Sequence, residues 1–295
     1  MPFSPPLLIP LACAFTYVVA ALIFKRAAEL GVGVWRTAFV ANWMVCLVFA
    51  PFWWVAGEPL RPWVEYWQPA ATALLFLAGQ AFIFLALKRG DVSVTTPVMG
   101  TKVIIVALLT SMLRAGDVPL RWWIGAALSA AAVLLLHLGE RSSANRQVRP
   151  TMMFAFLSAA SYGLSDVLIQ KWMSRWTLGE FLPAMFAFVG LYSFALIPFF
   201  SAPLRAMSGQ AWRWVGAGSV LMALNNAGIV FAIGRWGEAT AVNIIYSVRG
   251  LVSVALVWAI GHWFQNQEQQ LGTKVLRARM VGAGLMLAAI VLALV

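Results

Sequence analysis

The chain has 295 residues, of which 62% are hydrophobic and only 11% are charged, and its mean hydropathy is +0.84. A soluble protein of this length could not bury so much apolar surface, so the composition indicates an integral membrane protein in a lipid bilayer. The net charge is +11, but the sequence has no basic run interleaved with aromatic residues that could stack on bases. Nucleic acid is therefore not an expected partner.

Apolar stretches long enough to cross a bilayer, about 20 residues each, recur ten times along the chain. Charged segments, or segments rich in Gly and Pro, separate them. The predicted spans are 7–24, 36–55, 69–87, 92–113, 121–138, 151–169, 180–200, 214–233, 239–260 and 278–295. We therefore expect an all-α integral membrane protein with ten transmembrane helices.

The sequence offers no recognisable catalytic or metal-binding arrangement. Cys13 and Cys46 both lie inside predicted spans, so we interpret them as core residues rather than as a disulfide or a zinc site. His137 and His262 stand at span ends, without a carboxylate or a second histidine at ligand spacing. Since neither a P-loop nor a Ser–His–Asp arrangement is present, we expect no enzyme, no metal and no cofactor.

The second half of the chain repeats the first. Residues 84–104 align with residues 231–251 at a constant offset, which places Lys102 on Arg249. Both cations therefore fall near the middle of a predicted span, and they do so at equivalent positions of the repeat.

The first spans of the two halves also match, because residues 12–26 align with residues 157–171 and Tyr17 falls on Tyr162. Five is an odd number of spans, so the second copy must enter the membrane from the opposite face. This predicts two inverted five-helix repeats, with a site at the midplane between them.

We place the first repeat at residues 1–140, a linker loop at 141–150 and the second repeat at 151–295. Short turns, "KRGDVSV" and "RWGEATA", precede the fourth and ninth spans. Their acidic residues, Asp91 and Glu238, are expected to complement the dipoles of the helices that follow.

Ten helices in two five-helix halves, with these Gly–acidic turns, resemble the drug/metabolite transporter superfamily, and most closely its EamA-type branch. The resemblance covers nearly the whole chain. It implies export or exchange of small metabolites without ATP, by a multi-pass protein of the inner or plasma membrane.

Lys102 and Arg249 are the main candidates for a functional site. Each lies roughly ten residues, or about 15 Å of helix, from either end of its span. Inserting such a cation into the middle of a membrane costs about 2.5–3.5 kcal/mol on insertion scales, so an interaction that compensates for this cost is expected for each cation. A bound anionic substrate would be one such interaction, and an internal ion pair with Asp166 would be another. Both interpretations stay open.

Neighbouring polar and aromatic residues complete the candidate site. Met99 and Tyr246 precede the two cations on the same helix face, and Tyr17 and Tyr162 are matched by the repeat. Single amides in spans often serve as contacts between helices, which is the simpler interpretation of Gln80 and Asn226. The candidate substrate-binding residues are Lys102, Arg249, Tyr246, Met99, Tyr162, Tyr17, Asp166, Asn226 and Gln80.

These features favour a secondary transporter of a small anionic or carboxylate-bearing metabolite, such as an amino acid or a phosphorylated metabolite, that works by alternating access. A carrier of amphiphiles or lipid intermediates is an alternative, and so is a scaffold or sensor that transports nothing. A scaffold predicts that protein carboxylates neutralise both midspan cations. Proton coupling through Asp166, exchange of a counter-substrate, uniport and a homodimer all stay open.

The loops between the predicted spans carry thirteen Lys and Arg residues on one side and six on the side shared with both termini. The positive-inside rule then places both termini outside the cytoplasm. The superfamily resemblance implies the opposite orientation. We expect the orientation that the charge count gives.

Overall fold

The computed structural model describes residues 5–56, 61–89, 92–137, 148–260 and 273–294. Within these ranges all regular secondary structure is helical, which confirms the all-α prediction. The α-helices are α1 (Pro5–Glu29), α2 (Val34–Ala56), α3 (Trp67–Arg89), α4 (Val92–Gly100), α5 (Lys102–Met112), α6 (Leu120–Leu136), α7 (Val148–Trp172), α8 (Leu178–Tyr192), α9 (Gly209–Trp236), α10 (Ala239–Tyr246), α11 (Arg249–Ile260) and α12 (Thr273–Leu294). Short 3-10 helices occur at Trp63–Tyr66, Ser193–Phe199 and Leu204–Ala206.

Eight helical segments of the described residues are long and apolar enough to cross a membrane. They correspond to eight of the ten predicted spans. The other two predictions differ from the structure in specific ways, because α6 has only 17 residues and the stretch 239–260 is divided between α10 and α11. Most of the predicted linker lies outside the described residues, and α7 begins at Val148, within that linker.

The fourth predicted span is one long apolar segment with an interruption at Thr101, and the ninth is interrupted between Tyr246 and Arg249. In each, a hydroxyl side chain at the break bonds back to the carbonyl three residues earlier, Thr101 to Val98 at 2.7 Å and Ser247 to Ile244 at 2.5 Å. Such bonds compete with the regular helix ladder and bend the helix. As a result, each midspan cation is the first residue of a new helix, α5 or α11.

The most extensive helix packing joins helices of one half of the chain to helices of the other half. α1 packs against α9 and α7 packs against α3, while α2 packs against α8 and α6 against α12. In the sequence alignment α1 corresponds to α7 and α3 corresponds to α9, so the α1–α9 and α3–α7 contacts join corresponding pairs of helices. The inverted relation of the two halves stays a prediction.

The best-packed part of the core lies on α8, where Phe181, Met185 and Phe186 are fully buried. Phe186 stacks on Phe49 of α2, with ring centroids 4.6 Å apart. Between α1 and α9 the helices approach closely, because a Cβ at Gly228 would lie 2.4 Å from the sulfur of Cys13. This contact agrees with the interpretation of Cys13 as a core residue.

Two contacts agree with the predicted assignment of successive loops to alternate sides of the membrane. Arg36 donates to Ser201 at 3.1 Å, and both residues lie in loops assigned to the more basic side. Arg61 donates to the carbonyl of Arg175 at 2.7 Å and pairs with Glu180 at 3.4 Å, on the other side.

The turn between α9 and α10 is built on Gly237, whose φ of +69° is a left-handed conformation that glycine adopts without strain. Glu238 follows as the residue before α10, but its side chain makes no capping hydrogen bond. Burial raises the pKa of this half-buried carboxyl, and nearby Arg121 opposes that rise. Glu238 is therefore placed to complement the dipole of α10 through its charge, without a capping hydrogen bond, while Asp91 lies outside the described residues.

Candidate functional site

The two midspan cations make equivalent contacts with tyrosines of the opposite half. The ammonium of Lys102 lies 5.7 Å from the ring centroid of Tyr162, and the guanidinium carbon of Arg249 lies 4.8 Å from that of Tyr17. Cations and tyrosines that align in the sequence therefore lie near each other in the structure. Cation–π attraction offsets part of the loss of hydration of each cation.

Lys102 is also paired with a carboxylate. Its Nζ lies 2.8 Å from Oδ2 of Asp166, and the two side chains are only 13% and 11% exposed. The Nδ2 group of Asn243 donates to the same oxygen at 2.8 Å. The internal ion pair considered from the sequence is therefore formed, and Asn243 is a partner that sequence reasoning missed.

Arg249 lies in a corner formed by two tyrosine rings. Its guanidinium carbon is 4.5 Å from the ring centroid of Tyr246 and 4.8 Å from that of Tyr17. The two rings are 6.1 Å apart and nearly perpendicular, so both lie toward one side of the guanidinium. The Tyr246 hydroxyl is hydrogen-bonded to the amide of Asn225 at 3.1 Å, which fixes the ring.

The ion pairs of the described residues do not include Arg249. Its side chain is half-buried, in surroundings where the described part of the chain supplies aromatic rings but no carboxylate within 4.0 Å. The repeat explains this difference, because residue 21, which aligns with Asp166, is an alanine. Of the two aligned cations, only Lys102 has a carboxylate partner among the described residues.

Residues on one face of α7, at successive turns of the helix, contact elements of both halves of the chain. Tyr162, Asp166 and Gln170 are spaced four residues apart and lie on the same side of the helix. Gln170 donates to the carbonyl of Ala115 at 3.0 Å and accepts from the backbone N–H of Ala239 at 2.8 Å.

Asp166 and Gln170 therefore each join the α5 region to α10, one turn apart. We call these two contacts the α7 ladder. The close approach at its end requires Gly116, where a Cβ would lie 2.5 Å from Nε2 of Gln170. Gln170 was not a sequence candidate, although its position one turn after Asp166 was a usable signal.

Helix α6 supports both helix breaks from one face. Ser129 hydrogen-bonds Ser247 at the α10–α11 break, with the two oxygens 2.6 Å apart. One turn later, Val133 packs against Gly100 at the α4–α5 break, where a Cβ would lie 2.8 Å from its methyl group. The broken segments thus rest on a common helix.

The remaining candidates lie in different surroundings. Gln80 and Asn42 form a reciprocal amide pair, with distances of 2.8 and 3.2 Å, and Asn42 also donates to Ser193 at 2.9 Å. This arrangement fits the simpler interpretation, a contact between helices. Asn225 rather than Asn226 contacts Tyr246, and Met99 is the half-buried equivalent of Tyr246 in α4.

Comparison with known proteins agrees with the resemblance inferred from the sequence. Residues 5–138 match the EamA-like transporter family, which belongs to the drug/metabolite transporter superfamily. No curated protein matches the chain. A solved crystal structure superposes with a TM-score of 0.73 over 98% of this chain and 97% of that one, at 17% identity, which is a similarity of fold.

The match over residues 5–138 and the eight long apolar helices of the described residues together indicate a multi-pass membrane protein.

Proposed function

We propose, from the EamA-like transporter family that residues 5–138 match, that this protein is a secondary transporter of a small anionic metabolite in the inner or plasma membrane. The substrate would bind at the midplane, beside the breaks of α4–α5 and α10–α11. Broken helices at membrane depth are typical of transporter binding sites, because their free ends and irregular backbone face a cavity.

The observation that carries this proposal is the state of Arg249. A guanidinium in a membrane span is costly unless a partner compensates for its lost hydration, and the described residues place two tyrosine rings beside Arg249 but no carboxylate within 4.0 Å of it. A substrate carboxylate or phosphate would supply the missing anion through charge-assisted hydrogen bonds. A scaffold predicts a protein carboxylate beside both cations, whereas the described residues place one beside Lys102 and none within 4.0 Å of Arg249.

Alternating access is supported by the packing of helices of one half against helices of the other half and by the α7 ladder. The ladder joins the two halves from the middle of the spans to the turns at residues 113–119 and 237–238. Breaking it would open the site toward those turns. In an inverted repeat, an equivalent movement of the other half would open the opposite side.

A thermal-shift screen of the purified chain against amino acids, sugar phosphates and nucleotides tests the proposal. The wild type should be stabilised by at least one anionic compound, and Arg249→Gln should lose that stabilisation. Arg235→Gln is the matched control, because Arg235 is an exposed residue of α9. A hit that stabilises Arg249→Gln as much as the wild type would contradict the assignment of the site.

A further inference from the structure

We infer that Asp166 sets the charge of the substrate, so that the site takes one carboxylate group and disfavours dianions. This inference rests on the proposed function and narrows it. It follows from the different surroundings of Lys102 and Arg249, which occupy equivalent positions of the sequence repeat.

The first step is the fixed charge at the midplane. Lys102 and Arg249 supply two positive charges and Asp166 supplies one negative charge, which leaves one positive charge to be neutralised. A singly charged anion achieves this. A second anionic charge would have no cation of its own among the described residues of the midplane, in a poorly solvated site where uncompensated charges are strongly disfavoured.

The second step is that Lys102 is not available to a ligand. The same oxygen of Asp166 receives the ammonium of Lys102 and the amide of Asn243, each at 2.8 Å. A ligand anion that displaced Asp166 from Lys102 would leave a buried carboxylate with only an amide partner. Competition for Lys102 is therefore unfavourable while Asp166 is ionised.

The third step is the geometry at Arg249. The nearly perpendicular rings of Tyr17 and Tyr246 lie toward one side of the guanidinium of Arg249, and none of the ion pairs of the described residues involves its N–H groups. The planar fork of a guanidinium binds a carboxylate through two parallel hydrogen bonds. One bidentate carboxylate satisfies this arrangement.

A series of variants that changes only the fixed charge tests the inference. Asp166→Asn raises the midplane charge by one, Lys102→Met/Asp166→Asn returns it to the wild-type value, and Lys102→Gln lowers it by one. The probes are butyrate and succinate, which have the same carbon chain and differ by one carboxylate. Titration calorimetry on the purified full chain, in nanodiscs of zwitterionic lipid, gives the ratio of the two Kd values.

The wild type should prefer butyrate, and Asp166→Asn should shift the ratio by about tenfold toward succinate, because one charge-assisted contact is gained. The double variant should return to the preference for butyrate. If Asp166→Asn does not fold, the inference still requires the same preference in the wild type and the double variant, and weaker butyrate binding by Lys102→Gln.

An unchanged ratio in Asp166→Asn, with binding that still depends on Arg249, would overturn this inference and leave the proposed function standing. Lys102→Gln binding butyrate as tightly as the wild type would also overturn it. If neither probe binds the wild type better than Arg249→Gln, the anion site itself is wrong, and the proposed function fails together with the inference.

Discussion

Lys102 of α5 and Asp166 of α7 form an ion pair of 2.8 Å that joins the two halves of the chain beside the break between α4 and α5. Both side chains are nearly buried, so neither charge has much water to replace a lost partner. Breaking such a pair by removing one member is more destabilising than replacing both members.

Asp166→Asn should therefore lower the free energy of unfolding by about 3–5 kcal/mol, because the ammonium of Lys102 is left buried with an amide partner. Adding Lys102→Met should restore most of the loss. Thermal unfolding of the purified chain measures both. The control is Glu29→Gln, which breaks the exposed pair with Arg26 and should change stability by less than about 1 kcal/mol. A double variant that is as unstable as Asp166→Asn would show that the pair is not the cause.

Gln170→Ala should open the end of the α7 ladder, because it removes the bonds to Ala115 and Ala239. The readout is the labelling rate of Thr240→Cys by a membrane-impermeant maleimide, in a Cys13→Ala/Cys46→Ala background. Thr240 is buried in the first turn of α10, so labelling should be slow in the parent and faster in Gln170→Ala.

Gln210→Ala, a change at an exposed position of α9, is the matched control for the labelling experiment and should leave the rate unchanged. Equal labelling rates in Gln170→Ala and its parent would mean that Gln170 does not close this side of the protein.

Glu238 should make stability depend on pH in a defined direction. Burial raises its pKa above the usual 4.5, so the folded state binds the proton more tightly than the unfolded state does. Stability contributed in this way is fully present below pH 4.5 and is lost as the pH rises through the raised pKa of the folded state.

Glu238→Gln should consequently have a higher melting temperature than the wild type at neutral pH, and the difference should disappear below pH 4.5. The exposed Asp117→Asn, at the same side of the protein, controls for replacing a carboxylate by an amide. A melting-temperature difference that is the same at all pH values would contradict this role of burial.

Much of the fold could be predicted from hydrophobic segment length, since eight of the predicted spans correspond to long apolar helices. The helix breaks could not, because a Thr or Ser in an apolar run is compatible with a continuous helix. In the structure the local hydroxyl bonds of Thr101 and Ser247 lie at the breaks, and a tertiary contact of Ser129 supports the second one.

The contacts of the candidate site could be predicted only in part, for a similar reason. The repeat identified Lys102, Arg249, Tyr17 and Tyr162, because equivalent positions can be recognised by alignment. It could not identify Asn243 or Gln170, whose roles depend on the rotation of α7 and α10 about their axes. It also could not show which of the two cations takes the single carboxylate.

Orientation in the membrane remains a prediction that one fusion can test. A reporter that is active only in the cytoplasm, fused after Val295, should be inactive if the more basic loops face the cytoplasm. An active fusion would contradict the charge count and support the orientation that the superfamily implies.

The most direct test of a midplane anion site is counterflow in proteoliposomes with any anion that stabilises the wild type in the thermal-shift screen. Arg249→Gln should lose uptake by at least about tenfold, because the substrate loses a charge-assisted, bidentate contact. Arg249→Lys should be intermediate, since a point charge replaces the planar fork. Arg235→Gln should transport as the wild type does. Uptake by a folded Arg249→Gln protein at the wild-type rate would contradict the assignment of the anion site to Arg249.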